Sequence, residues 1–87
     1  MDVAARMRER LAALDPDAID ILDESGKHVG HEGAKGGGGH YQLVIVSPRF
    51  SGVAAQARHR MVYQALGTMM QQEIHALAIQ AYAPDEL

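Results

Sequence analysis

The chain has no cysteine. Without a thiol it can form no disulfide, no thiolate zinc site, no Cys nucleophile and no iron–sulfur centre held by its own sulfurs. A surplus of positive charge is missing as well. Eight Lys and Arg stand against eleven Asp and Glu, a net charge of −3 with neutral His, so no global field marks a nucleic-acid binder. No apolar run approaches the roughly 18 residues that a membrane-spanning helix needs. The opening residues, Met1 to Arg6, carry an early acid rather than a basic-then-apolar signal. The expectation is a cytoplasmic protein with no membrane partner. No internal repeat is visible. What is present, 87 residues with 47% hydrophobic and 22% charged, fits one folded domain over 1–87 and is too little for two cores. Five histidines in so short a chain are the unusual feature.

Val3, Met7, Leu11 and Leu14 recur at helical spacing, with Arg6, Arg8, Glu9 and Arg10 on the other side. This predicts a helix over 3–14 that Asp15-Pro16 ends, because the residue before proline is pushed out of the α region. Residues 18–23 alternate as a short strand with Ile19 and Ile21 on one face. Residues 24–39 break the periodicity and hold seven of the nine glycines, which predicts a long loop, mobile over 26–39. The glycine frames of phosphate-binding loops, with their following helix, are absent. A second strand follows over 40–47, then a helical stretch over 53–70 in which a break near 57–59 would make two helices. Residues 75–82 form a third strand, and the tail reads as a frayed turn or short helix. The predicted order is αββααβ, an α+β fold whose three-stranded mixed sheet carries helices on one face. Val3, Leu11, Ile21, Leu43, Ile45, Leu66, Leu77 and Ile79 are the expected core, with Met61, Met69 and Met70 as filler.

A hairpin between the first two strands and a helical crossover to a parallel third would bring four histidines to one sheet edge. These are His28 and His31 in the loop, His40 at the start of strand two and His75 at the start of strand three. His59 is left out. Imidazole suits iron, zinc and copper. Against this, histidines in loops and at strand starts are more often solvated, and His-x-x-His at 28 and 31 lacks the His-Glu-x-x-His frame. A second candidate is Arg58-His59-Arg60 with Arg49, which could meet phosphates at a helix–turn–helix. Its plain counterpart is a solvated helix face with a salt bridge. Asp23-Glu24 are adjacent carboxylates that nothing marks as a catalytic pair, and no Ser–His–carboxylate arrangement stands out.

The ordered strings Asp23-Glu24-Ser25, His40-Tyr41, Val44-Ile45-Val46-Ser47, Arg49-Phe50-Ser51-Gly52, Arg58-His59-Arg60-Met61-Val62 and Ile74-His75-Ala76-Leu77 resemble the BolA family over nearly the whole chain. The resemblance implies a fold similar to the class II KH domain, here without the Gly-x-x-Gly of a nucleic-acid-gripping loop. It implies a protein that is not an enzyme, and that pairs with a monothiol glutaredoxin to share a 2Fe–2S cluster. The partner would bring one cysteine and a bound glutathione. On this chain the resemblance assigns one ligand to His75 and a second to His28, with His31 as a nearby competitor. Two imidazoles on one iron would resemble Rieske ligation, which raises the reduction potential. The implied role is iron–sulfur trafficking, or iron and redox sensing. The implied alternative is DNA-binding transcriptional regulation through Arg58, Arg60 and Arg49. A third reading is an interaction module without metal. The isolated form is expected to be a monomer or a weak homodimer.

Overall fold

The structure, a computed structural model, describes residues 2–24 and 39–87. Most of the loop predicted over 24–39, with His28 and His31 in it, lies outside the described residues. Helix α1 covers Val3–Leu11. The carboxylate of Asp2 caps it by accepting the Ala5 N–H at 2.7 Å, satisfying one of the amides that a first helical turn leaves open. A 3-10 turn over Ala12–Leu14 continues it, and Asp15 ends it at φ 51° just before Pro16. Strands β1 (Ala18–Asp23), β2 (Gly39–Val46) and β3 (Ile74–Tyr82) follow, with helix α2 (Ala55–Leu66) between the last two.

The sheet order is β1-β2-β3. β1 pairs antiparallel with β2, Ile21 opposite Leu43, and β2 pairs parallel with β3, Leu43 opposite Ile79. The mixed sheet and the parallel crossover are therefore as the chain order predicts. Tyr41, Leu43 and Ile45 of the central strand share one buried cluster with Met7 and Leu11 of α1 and with Val62 and Leu66 of α2. Leu11, Leu43, Ile45 and Leu66 are buried as expected, but Val3, Ile21, Leu77 and Ile79 are only half-buried. The reason is position: Ile21, Leu77 and Ile79 lie on outer strands with a neighbour on one side, and Val3 opens its helix. Phe50 is fully buried instead, and of the methionines expected as filler Met69 is fully buried while Met61 and Met70 are half-buried. Among the described residues no helix is long and apolar enough to cross a membrane.

The helical stretch after β2 divides at Gly67 rather than near 57–59. α2 runs unbroken through 57–59 because residues 55–66 contain neither glycine nor proline. What remains of a further helix is a 3-10 turn over Gly67–Gln71, and another, Pro48–Phe50, precedes α2. Gly67 ends α2 at φ 60° and ψ −132°, a conformation that side-chain-bearing residues avoid. A Cβ there would also come 3.1 Å from Nη1 of Arg10. That same Nη1 donates to the Leu66 carbonyl at 3.3 Å, occupying an acceptor that a helix end leaves open. Gly67→Ala is expected to destabilise the protein by about 1–3 kcal/mol. A thermal melt checks this, and an unchanged midpoint would contradict it.

Candidate functional site

Because β2 and β3 run parallel, they begin at the sheet edge where β1 ends. The Gly39 N–H donates to the Glu73 carbonyl at 2.7 Å, and the Glu24 N–H donates to the His40 carbonyl at 2.8 Å. The Gln42 side-chain amide donates to the Glu24 carboxylate at 2.8 Å. From α1, Arg6 makes an ion pair with Glu73. The Glu73 carboxylate oxygens are shut off from solvent, so the Arg6 charge is what offsets their desolvation. Ile74 follows at 2% exposure. The backbone leading into His75 is thus held by a ladder hydrogen bond, an ion pair and core packing, while His75 itself is exposed.

The register slips at this point. Gly39 lies opposite Ile74 but His40 lies opposite Ala76, which leaves His75 as the extra residue of a bulge. Alternation breaks accordingly: Ile74 is buried, His75 and Ala76 are both exposed, and Leu77 is half-buried again. The His75 ring lies beside the His40 ring, with centroids 5.3 Å apart and planes 15° from parallel. This falls within the roughly 4.5–7 Å typical of offset-stacked rings. Of the four histidines assigned to this edge, the structure brings together His40 and His75. His28 and His31 lie outside the described residues, and His59 sits in the second turn of α2. Among the described residues, no group of three or more His, Cys, Asp or Glu is arranged to hold a metal ion. What the edge offers is a pair of imidazole donors.

The arginine candidates do not form one basic surface, and the outward role expected of Arg58 is corrected. Arg58 is 9% exposed and turns inward. Its Nε donates to the Val53 carbonyl at 2.7 Å and its Nη1 to the Ala81 carbonyl at 2.9 Å. Nη1 and Nη2 also donate to the two carboxylate oxygens of Glu86 at 2.7 and 2.6 Å. The guanidinium carbon lies 5.8 Å from the Phe50 ring centroid. The planar fork is committed to carbonyls and a carboxylate, which its donor geometry matches. Arg49 donates from Nε to Asp15 at 2.8 Å, and both side chains are exposed, a contact of little energetic weight. Arg60 is exposed on α2.

Glu86 is a structural residue that pattern reading missed, because an acid 28 positions from its arginine carries no periodic signal. It sits in a 3-10 turn over Pro84–Glu86 and also accepts the Ala83 N–H at 2.8 Å. The tail is therefore stitched to α2 and β3 rather than frayed. The hydrogen bonds from Arg58, then that from the Ala83 amide, hold the Glu86 carboxyl at about 2 against the usual 4.5, and Arg58 is raised in return. A carboxyl depressed by folding contributes stability that is complete above its unfolded value and is lost as the pH falls through its folded one. The melting temperature should therefore fall between pH 4.5 and about 2, and fall less steeply in Glu86→Gln. Equal slopes in thermal melts of the two proteins would refute this.

Comparison with known proteins agrees with the fold. Residues 11–86 match the family model described as BolA, BolA-like protein. The BolA-like protein 1 of Mus musculus is 40% identical over 83 residues, covering 94% of this chain and 58% of that protein. This chain thus spans less than two thirds of the mouse relative. The DNA-binding transcriptional regulator BolA of Escherichia coli (strain K12) is 36% identical over 87 residues, covering 99% of this chain and 80% of that protein. Among solved structures, BolA1 from Arabidopsis thaliana is similar at a TM-score of 0.85 and 38% identity, covering 100% of this chain and 97% of that one. With the family match running from the end of α1 to the turn after β3, and the fold agreeing with it, the chain belongs to the BolA family.

Proposed function

We propose that this BolA-family protein acts as a partner rather than an enzyme, lending imidazole ligands to a 2Fe–2S cluster shared with a monothiol glutaredoxin. The glutaredoxin would bring a cysteine and a bound glutathione, and the role would be iron–sulfur trafficking, or iron and redox sensing. The observation that carries this reading is His75, an exposed imidazole on an anchored strand start with a second imidazole beside it. The donor set fits such a group. Imidazole is a good iron ligand, and a chain with no cysteine must take sulfur ligands from elsewhere. His75 would hold the cluster from this side, with His28 or His31 as the second ligand. When bound, the cluster supplies a one-electron centre whose potential depends on its share of imidazole ligands. Alone, the protein should bind no cluster stably. Co-expressed with a monothiol glutaredoxin, it should purify as a coloured heterocomplex whose visible absorption and circular dichroism differ from those of the glutaredoxin by itself. A colourless chain that leaves the glutaredoxin spectrum unchanged refutes the proposal.

The name of the Escherichia coli relative favours a second reading, DNA-binding regulation. In this chain it would rest on Arg60 and Arg49, since Arg58 is engaged internally. Binding to duplex DNA should then be measurable at low salt, fall steeply as salt rises and weaken in Arg60→Ala. Arg58→Ala is not a clean probe, because it would unfasten the tail. Absence of binding at low salt removes this reading for the chain.

A further inference from the structure

We propose that His40 is a positioning residue for His75, its ring serving as a platform that holds the His75 imidazole in the orientation that meets the shared cluster. The inference rests on the reading of His75 given above. Its structural root is the bulge. By making His75 the extra residue of β3, the register slip turns it out of the buried row and beside His40. On its own strand the next residue is Ala76 and the one beyond Leu77 is Ala78, too short to steady an exposed ring. His40 is differently placed. It is half-buried on the central strand, which pairs on both sides, and its carbonyl receives the Glu24 N–H at 2.8 Å. The backbone that carries the His40 ring is therefore held by the sheet on both sides, and the His75 ring lies beside that ring at 5.3 Å and 15°.

An exposed side chain samples several rotamers and loses that freedom when it binds. Holding it beforehand in one rotamer reduces the loss. Ligating histidines are commonly oriented by supporting contacts, usually a hydrogen bond from the other ring N–H. Here the support is a ring face, so an aromatic side chain without nitrogen donors can replace it.

The test compares wild type, His40→Ala and His40→Phe. Each is reconstituted with a monothiol glutaredoxin, glutathione, iron and sulfide, and its fold is checked by amide NMR. His40→Ala removes the platform and is expected to shorten the cluster lifetime by about two- to tenfold. His40→Phe keeps a ring and is expected to restore it. In the free protein, three-bond couplings of the His75 side chain should report one dominant rotamer in wild type and His40→Phe, and averaging in His40→Ala. Equal loss of lifetime in both variants would overturn the proposal by making the His40 nitrogen the active element. Unchanged lifetime in both, with the wild-type cluster formed, would also overturn it. Should the wild type form no cluster, the reading of His75 fails. The couplings then decide the positioning alone, and equal averaging in wild type and His40→Ala overturns it.

Discussion

His75→Ala should abolish the imidazole-type spectral signature of the complex with a monothiol glutaredoxin while leaving the free protein folded. The side chain is exposed, and its neighbours Glu73 and Ile74 hold the strand start without it. Substitution should therefore cost no more than about 0.5 kcal/mol of stability. Loss at the cluster is a different matter, because a removed ligand leaves an iron position open. The fall in cluster affinity should exceed the roughly 10- to 100-fold seen when a supporting group is removed, and so exceed the effect of His40→Ala. His28→Ala should weaken the complex less, since His31 stands close enough in sequence to substitute. Visible absorption and circular dichroism of the reconstituted pairs measure each case. A His75→Ala pair with the wild-type spectrum and lifetime would exclude His75 as a ligand.

Phe50→Ala should have the largest effect on the fold. Phe50 is 0% exposed, belongs to the buried cluster and lies under the Arg58 guanidinium. Truncating a buried phenylalanine costs about 3–5 kcal/mol. A domain of this size holds only about 5–15 kcal/mol in total, so the melting temperature should drop by at least roughly 12 °C. The same change should loosen the tail, because Arg58 is oriented by the ring on one side and by Glu86 on the other. Leu22→Ala is the control: Leu22 is 52% exposed on β1, and its removal should shift stability by no more than about 0.5 kcal/mol. Comparable melting shifts in the two variants would show that burial at position 50 does not govern stability.

Much of this architecture could be read from residue pattern. β1 falls at 18–23 as its alternation indicates, and β2 and β3 begin one residue earlier than expected. The parallel run of β3 follows from a helix lying between it and β2, and that topology places His40 and His75 at one edge. Other features depend on contacts that leave no periodic trace. Helical spacing puts Arg58 on α2 but cannot tell a solvated guanidinium from one that reaches Glu86 across the fold. The slip between Gly39 and His40 is equally silent, because a bulge adds one residue without altering the character of its neighbours. The half-burial of Ile21, Leu77 and Ile79 reflects membership of outer strands, and strand order is not written in the apolar pattern of any one strand. The unbroken α2 was legible in principle, since it lacks glycine and proline up to Gly67.

The central place of β2 also sets an order of assembly. Its pairing with β1 joins segments adjacent in the chain, whereas its pairing with β3 must wait for the whole of α2 to be synthesised and folded back. Contacts between distant segments are slow to form because the intervening chain must first be closed. On the ribosome, where segments emerge in sequence, a nascent chain can hold the antiparallel pair while still lacking β3. At that stage one side of β2 is an unpaired edge and the His75 ring has not yet come to lie beside His40. The His40–His75 pair exists only once the crossover closes, so a chain caught midway would not yet present that pair to a partner.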